Sequence, residues 1–478
     1  MRLGRTRGSG RGCIPSPGIA SQEVRLDATL LTGGTVVTMN PSRDVLRADV
    51  LIQNGVIAGV GESMPWTSRR PAGAPGVRTL DVGGSYVLPG FVQTHVHLCQ
   101  TLFRGQAEGV VLADWLNRIW TLEAAHDPES MRASAALGCH ELLKSGTTCV
   151  LDMGSVHHTD QVFEAVRASG IRAFCGKAMM DAGDHVPPGL RETADESMSE
   201  ALRLHSRWHG AEGSRLKYAF APRFLESCSE ELLRGVARKA CEMGLLVHSH
   251  ASETAAELES CKSLHGLSPV GYLEALGLAR PNLVLAHCIH LEDDDYRILA
   301  DTDVKVAHCP SCNLKLSSGI ADVGRLLRSG ASVSLGADGA ACNNNLDMFR
   351  EMRTAALLQS YKNGSGHHWA GLFLEAATLG GAKALGISDV VGSIEPGKRA
   401  DLIVIDASKE HAFSGTDCDP ATRIVFSAAS SDVRHVFVDG RQVVSAGEIQ
   451  QGLHGGSSSR EVTMNASREL EKLLARRG

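Results

Sequence analysis

Two histidines separated by one residue, His95 and His97, follow the apolar residues 85–88 and the dipeptide Pro89-Gly90. The apolar residues have the composition of a β-strand, and side chains on a strand alternate between its two faces. Both imidazoles are therefore expected on one face, where they form half of a transition-metal site. A His-x-His pair alone is more often ordinary surface or core histidine, so this interpretation depends on further ligands elsewhere in the chain.

Three later strand-like segments supply residues of the required types. His250 and Glu253 end one of them, His287 lies on the next, and Asp338 ends the last. A single buried histidine is more often a satisfied core residue, but the joint pattern is not expected by chance. Three neutral imidazoles and one carboxylate suit Zn²⁺ or Fe²⁺ and leave an open position for water.

The same residues have a chemical use. A divalent ion lowers the pKa of a water molecule towards neutrality, Asp338 can accept the released proton, and Glu253 can transfer it to a substrate. Glu253 follows His250 by three residues, so the loop after the strand can bring it beside the ion without coordination. No lysine stands where a carbamate would bridge two ions, which favours one metal ion, most simply Zn²⁺ with Fe²⁺ as the alternative.

The middle of the chain has the pattern of elements that would position these residues. Short apolar strand candidates alternate with helical segments such as 128–145, 160–169, 230–243 and 293–300, which predicts a parallel sheet with crossover helices. Eight strands are predicted, at residues 87–97, 148–154, 171–181, 216–224, 245–253, 283–291, 304–311 and 333–339. Eight such units indicate a (β/α)8 TIM barrel, an α/β fold in which the C-terminal ends of the strands face the active site.

The two ends of the chain share a pattern of alternating apolar and polar residues. Residues 30–60 alternate apolar and polar residues, and residues 400–406 and 435–441 do the same. This pattern predicts short antiparallel strands from both ends that pair into a small β-sandwich. The predicted domains are a disordered N-terminal extension at 1–25, the first part of the sandwich at 26–86, the barrel at 87–395, the second part of the sandwich at 396–450, and a C-terminal linker and helix at 451–478.

Composition excludes several classes of protein. With 478 residues, 43% hydrophobic content and 21% charged content, the chain can bury a large core. A net charge of −6 argues against a nucleic-acid or anionic membrane surface, and no apolar run is long enough to cross a bilayer. The 13 scattered cysteines and the lack of a signal-peptide pattern indicate reduced thiols and a cytoplasmic location. Cys309 and Cys312 have CxxC spacing without a second pair, so they are predicted to be structural.

Several motifs together resemble the amidohydrolase superfamily, and more narrowly its deaminase and triazine-hydrolase branch. They are Pro89-Gly90-Phe91-Val92-x-Thr94-His95-x-His97, His250-x-x-Glu253, Ala286-His287-Cys288, His308-Cys309-Pro310-Ser311-x-Asn313 and Gly336-Ala337-Asp338-Gly339. The resemblance implies that His95, His97, His250 and Asp338 bind the metal. It also implies that Glu253 carries a proton to a ring nitrogen and that His287 orients the attacking hydroxide or polarises the leaving side.

Two sets of residues bear on the substrate. The stretch with Trp115 and Glu123 is similar to deaminases of 5′-modified adenosines, which implies that Glu123 binds the ribose diol and that Trp115 packs on the 5′ side. Gln100 and Arg223-Phe224 instead resemble guanine deaminase, in which the Gln and Arg bind the purine edge and the Phe stacks on the base. Arg191, with Lys177, could bind an anionic tail or could serve a surface role.

The leading hypothesis is therefore a metal-dependent deaminase of a purine, most simply a 5′-modified adenosine such as 5′-deoxyadenosine, methylthioadenosine or S-adenosylhomocysteine. Guanine or oxopurine deamination, triazine hydrolysis, and an inactive barrel used for binding are the alternatives. The expected partner is a small purine or nucleoside rather than nucleic acid or membrane, and the resemblance implies a homo-oligomer.

Overall fold

The structure is a computed structural model, and it describes residues 28–62, 76–409, 411 and 418–477. The N-terminal extension predicted at 1–25 lies outside the described residues. The strands are β1 (Ala28–Val37), β2 (Val45–Gln53), β3 (Val56–Gly61), β4 (Val77–Asp81), β5 (Ser85–Pro89), β6 (Phe91–His97), β7 (Thr147–Asp152), β8 (Arg172–Met179), β9 (Leu216–Pro222), β10 (Val247–Ala251), β11 (Leu283–His287), β12 (Lys305–His308), β13 (Ser332–Leu335), β14 (Asp338–Gly339), β15 (Leu402–Asp406), β16 (Val433–Val438), β17 (Arg441–Ser445) and β18 (Glu448–Ile449).

The helices alternate with the strands through the middle of the chain. They are α1 (Leu112–Ala124), α2 (Pro128–Lys144), α3 (Thr159–Ser169), α4 (Ala194–Trp208), α5 (Ala211–Ser214), α6 (Glu230–Met243), α7 (Ala255–His265), α8 (Pro269–Ala275), α9 (Asp293–Asp301), α10 (Pro310–Lys315), α11 (Val323–Ser329), α12 (Ala340–Asn343), α13 (Met348–Asn363), α14 (Trp369–Ala376), α15 (Leu379–Ala384), α16 (Pro420–Phe426) and α17 (Ser459–Arg476).

Strands β6 to β14 form a parallel barrel. Each strand from β6 to β12 pairs with the next one along the chain, and β14 pairs with β6. Strand β6 also contacts β13, since the Thr94 hydroxyl donates to the backbone carbonyl oxygen of Leu335 at 3.1 Å. Almost every residue of these strands is buried, because helices cover the outside and side chains fill the inside. The predicted (β/α)8 barrel is confirmed.

Two of the predicted strands are interrupted, and both breaks have a steric reason. Predicted strand 87–97 divides at Gly90, where the chain passes from the smaller sheet (β5) into the barrel (β6). A Cβ at Gly90 would lie 2.2 Å from the Thr148 side chain, so only glycine allows this crossing. Predicted strand 333–339 divides into β13 and β14 around Gly336, where a Cβ would lie 2.7 Å from the Cβ of His95.

The smaller sheet combines both ends of the described chain. It is a nine-stranded mixed sheet with the order β18-β17-β16-β15-β5-β1-β2-β3, and β4 pairs with β1. One apolar cluster on this sheet joins Leu31, Val50 and Val87 to Val404 and Phe437, which lie more than three hundred residues further on. The burial of these side chains holds the two chain ends together, as the alternating pattern predicts.

Local signals position the helices. Helix α6 begins after Ser229, whose hydroxyl accepts the N–H of Leu232, and it ends at Gly244 in the left-handed region at φ 65°. Helix α17 begins with a capping box between Ser458 and Glu461 and packs against α2. In the part of the chain that the structure describes, no helix has the length and apolar content needed to cross a membrane.

Candidate active site

The mouth of the barrel brings together four of the predicted metal ligands. His95 and His97 lie at the C-terminal end of β6, His250 lies on β10, and Asp338 begins β14. Their ligand atoms all lie within 4.8 Å of one another. The Nε2 atoms of His95 and His97 are each 3.2 Å from Oδ1 of Asp338, and the Nε2 atoms of His97 and His250 are 3.3 Å apart.

His95 and His250 have the protonation that a metal site requires. Burial lowers the pKa of His95 to about 4 and the pKa of His250 well below its usual value, so both rings are neutral near neutral pH. Nδ1 of His250 lies 2.7 Å from the carbonyl oxygen of Arg223 and can only donate to it, which leaves Nε2 as a free lone pair. Nδ1 of His95 lies 2.7 Å from Nε2 of His248. Lone pairs converging at this distance fit a bound cation, and backbone and ring partners orient the ligands.

Asp338 supplies the negative charge of the cluster. Burial alone would raise the pKa of this carboxyl group, but the charges and hydrogen bonds of His95 and His97 outweigh burial and hold the pKa well below its usual range. Its backbone has φ 63°, in the left-handed region that costs a non-glycine residue free energy. His287 at φ 75° and Ser252 at φ 55° share this feature at neighbouring strand ends. Such strain persists only where the surrounding structure holds it, as it does at these three positions.

Glu253 and His287 face each other beside the cluster. One Glu253 oxygen is 3.6 Å from Nε2 of His287, and Nε2 of His287 is 3.9 Å from Oδ2 of Asp338. Burial raises the pKa of Glu253, so this carboxyl group holds a proton more readily than an exposed one. Burial would lower the pKa of His287, but the charges of Glu253 and Asp338 and a hydrogen bond with Asn313 raise it. Glu253 and His287 can therefore share a proton between a carboxylate and an imidazole.

Three supporting residues were missed by sequence reasoning. Glu257 accepts the backbone N–H groups of Ser252 and Glu253 at 3.0 and 2.7 Å, which fixes the strand end that bears Glu253. Asn313 Oδ1 lies 2.8 Å from Nδ1 of His287, and Ser318 donates to Glu253 at 3.3 Å. Two of these residues had a recognisable sequence pattern, because Asn313 is part of a motif of the superfamily and Thr254-x-x-Glu257 has the spacing of a helix start. No sequence pattern indicated Ser318.

The other histidines near the mouth have supporting positions. His248 contacts His95, as described above, and Nε2 of His290 lies 2.7 Å from the carbonyl oxygen of Ser318. His308 is buried, and neither of its ring nitrogens has a hydrogen-bond partner among the described residues.

A cavity of about 490 Å³ opens over the cluster. Its polar wall includes His97, Gln100, Arg223, His250, Glu253, His287 and Asp338. Its apolar wall includes Val111, Leu112, Trp115, Leu116, Phe224 and Leu316. A volume of this size, with a few convergent polar groups on one side, is that of a small-molecule site.

The predicted substrate residues Gln100, Glu123 and Arg223 form one hydrogen-bonded group. NH1 and NH2 of Arg223 donate to the two carboxylate oxygens of Glu123 at 2.6 and 3.1 Å, and Gln100 donates to one of them at 2.8 Å. Burial would raise the pKa of Glu123, but the adjacent guanidinium lowers it, so the residue stays ionised. Oε1 of Gln100 is buried without a partner among the described residues, and Gln100 lines the cavity.

The remaining predicted substrate residues divide between the cavity and the surface. Trp115 and Phe224 line the cavity, and Phe224 stacks on Trp120 with ring centroids 6.0 Å apart. Arg191 is exposed, and it is not among the described residues that line the cavity. Lys177 is buried and bonded to Glu192 at 2.5 Å, so its charge is already paired.

The barrel, the cluster and the cavity define a metal-binding barrel protein with acid and base groups placed for hydrolysis. The sequence profile described as Amidohydrolase family matches residues 86–443. The chain belongs to the amidohydrolase family, whose members bind a divalent metal ion.

Individual relatives agree with this assignment. The chain is 39% identical over 426 residues to a 5′-deoxyadenosine deaminase of Methanothermobacter thermautotrophicus, covering 89% of this chain and 95% of the relative. It is 38% identical over 423 residues to a 5-methylthioadenosine/S-adenosylhomocysteine deaminase of Pelotomaculum thermopropionicum, covering 88% and 94%. The crystal structure of an adenosine deaminase from Xanthomonas campestris with bound zinc superposes with a TM-score of 0.85 at 31% identity, covering 94% of this chain and 98% of that one.

Proposed function

We propose that the protein is a metal-dependent hydrolytic deaminase that replaces the exocyclic amino group of a 5′-modified adenosine with oxygen and releases ammonia. The observation that carries the proposal is the position of Glu253, within 3.6 Å of His287 and beside a cluster of three histidines and one aspartate in the wall of the cavity. The relatives support the reaction, since the two curated proteins described above are named as deaminases of 5′-modified adenosines.

We propose that His95, His97, His250 and Asp338 hold one divalent ion, with Zn²⁺ preferred because neutral imidazoles and a carboxylate suit it. When bound, such an ion lowers the pKa of a water molecule and so supplies the nucleophile. Asp338, which is ionised because its pKa is held well below the usual range, is the group placed to take up the proton of this water. Glu253, with its raised pKa, donates a proton to the ring nitrogen next to the amino-bearing carbon.

His287 takes part by position and charge. Its Nε2 lies between the Glu253 and Asp338 carboxylates, and its Nδ1 is held by Asn313. A protonated His287 at this point donates to the developing negative charge as water adds to the ring. The proton balance closes within the site, because one proton of the attacking water ends on the ring nitrogen, the other leaves with the amino group as ammonia, and the ring keeps the oxygen.

The apolar wall supports the choice of a nucleoside with a modified 5′ end. Leu112, Trp115 and Leu116 provide apolar surface for a methyl or thioether group, which a free 5′ hydroxyl would not need. Oε1 of Gln100, in the polar wall, has no hydrogen-bond partner among the described residues and suits a hydroxyl donor of the sugar. Glu123 acts through Gln100 and Arg223 in this proposal, since both of its oxygens are already bonded to them.

Guanine is the second candidate substrate, because Arg223 and Gln100 both line the cavity and could bind a purine edge. The pairing of Arg223 with Glu123 disfavours it, since two of the five guanidinium N–H donors are already bonded to a buried carboxylate.

Ammonia release from a panel of substrates tests the proposal. The panel contains adenosine, 5′-deoxyadenosine, methylthioadenosine, S-adenosylhomocysteine, guanine and 8-oxoguanine, and chloride release from a chlorotriazine is measured beside it. The highest kcat/KM is expected for a 5′-modified adenosine. Turnover of guanine alone, or of the triazine alone, would replace the proposal with that reaction, and no turnover by the metal-loaded protein would indicate a binding role.

A further inference from the structure

A second group of metal-binding side chains lies beside the cluster and has no part in the proposed reaction. The Sγ atoms of Cys312 and Cys342 and a carboxylate oxygen of Asp338 all lie within 4.8 Å of one another. All three residues are buried, and both cysteines are free thiols. Sulfur ligands select soft or borderline cations, whereas none of the four residues of the neighbouring cluster offers sulfur.

The fold holds these three residues together by short elements at the barrel mouth. Cys312 lies on helix α10 and Cys342 lies on helix α12, and the two helices pack against each other. Asp338 is separated from α12 by Gly339, and the Cys342 thiol donates to the carbonyl oxygen of Gly339 at 3.1 Å. The CxxC partner of Cys312 in the sequence, Cys309, is not a member of this group among the described residues.

Two of these three residues are accessible from the cavity. Cys342 and Asp338 both line the cavity, which is open enough to admit a nucleoside in the proposal above. Two thiolates, one carboxylate oxygen and one water from the cavity make up the four ligands that Zn²⁺ and related ions prefer.

We propose that Cys312, Cys342 and Asp338 form an inhibitory site for a thiophilic divalent cation. When the cation binds, it forms two metal–sulfur bonds, and the two thiol protons leave to solvent. Asp338 is then shared with the second cation and can no longer accept a proton from water. The inhibition rests on the proposed function, whereas the binding of the cation does not.

Titration of the zinc-loaded protein with Cd²⁺ alone tests the site. Metal content is measured after removal of free ions, and the ultraviolet thiolate-to-cadmium absorption band is followed, since the neighbouring cluster has no sulfur and cannot produce it. The wild-type protein is expected to take up a second ion per chain with this band and to lose ammonia release in parallel.

Cys312→Ser removes one sulfur without touching the cavity lining, and Cys309→Ser is the matched control. Cys312→Ser is expected to keep the first ion and the basal activity and to weaken Cd²⁺ uptake by at least about tenfold, while Cys309→Ser behaves as wild type. Cys342→Ala, tested for Cd²⁺ uptake alone, provides a second route if Cys312→Ser melts early. A single ion per chain in the wild type, or a thiolate band unchanged in Cys312→Ser, overturns the site. Two ions with full activity overturn the inhibition only.

Discussion

Arg223 lines the cavity and forms a two-pronged ion pair with Glu123, with NH1 2.6 Å from Oε2 and NH2 3.1 Å from Oε1. Both side chains are nearly inaccessible, at 3% and 4% exposure. Because removal of one partner leaves a buried charge without compensation, Arg223→Met is expected to lower the free energy of unfolding by about 3–5 kcal/mol. Denaturant unfolding of the metal-loaded protein measures this change.

The double variant Glu123→Leu/Arg223→Met is the control for that experiment. It removes both charges together, so it is expected to be more stable than Arg223→Met alone. The losses in free energy of unfolding are compared for Arg223→Met, Glu123→Leu and the double variant. If the two single losses add up to the loss of the double variant, the two residues are not energetically coupled, which contradicts the geometry.

Glu253→Gln is expected to reduce kcat by about 10²–10⁴-fold, because the amide cannot carry a proton to the ring nitrogen. Metal content should stay unchanged, since Glu253 is not among the four clustered ligands. Glu259→Gln changes an exposed glutamate on helix α7, the helix that follows Glu253, and as the matched control it should retain full activity. A fully active Glu253→Gln enzyme would remove the mechanism.

Ser318→Ala is expected to move the pH dependence of activity. Burial raises the pKa of Glu253, and the hydrogen bond from Ser318 opposes this by stabilising the ionised form. Loss of the hydroxyl therefore moves the pKa of Glu253 further upward. Since the protonated form is the proposed acid, the alkaline limb of the kcat/KM profile should move to higher pH. Ser329→Ala, which removes a bond within helix α11 at Leu326, should leave the limb in place.

Removal of the metal by a chelator is expected to abolish ammonia release and to lower the melting temperature. A ligand present at about a hundred times its Kd stabilises the folded state by about 2.7 kcal/mol, and this is lost in the apo protein. Restoration with Zn²⁺ and with Fe²⁺ in separate samples, with metal analysis of the native protein, identifies the ion. Undiminished turnover after complete chelation would contradict the assignment of the cluster.

Gly336→Ala is expected to displace His95. An added Cβ would lie 2.7 Å from both the Cβ and the carbonyl oxygen of His95, so one strand must shift. Overpacking of this kind costs about 1–3 kcal/mol, and a displaced ligand lowers metal affinity by about 10–100-fold. Competition with a chromophoric chelator measures the affinity. Gly366→Ala, where nothing lies within 4 Å of the added atom, is the control.

Local signals in the sequence predicted much of the architecture. Helix α6 spans residues 230–243 as expected, because a serine cap and a left-handed glycine mark its ends. Strand boundaries were less accurate at Gly90 and Gly336, since the need for glycine there comes from Thr148 and His95, which are distant in sequence or belong to another strand.

What the sequence by itself determined was the fold class and the types of residue at the strand ends, because alternation along a strand and the period of a helix are local properties. His95 and His97 share a face for that reason. Only the tertiary structure decided the partners. Glu123 bonds to Arg223, one hundred positions away, and Cys312 lies with Cys342 instead of its CxxC neighbour. These pairings depend on how the barrel closes and on which side chains lie within a few ångströms of one another at its mouth. The local sequence pattern does not contain that information.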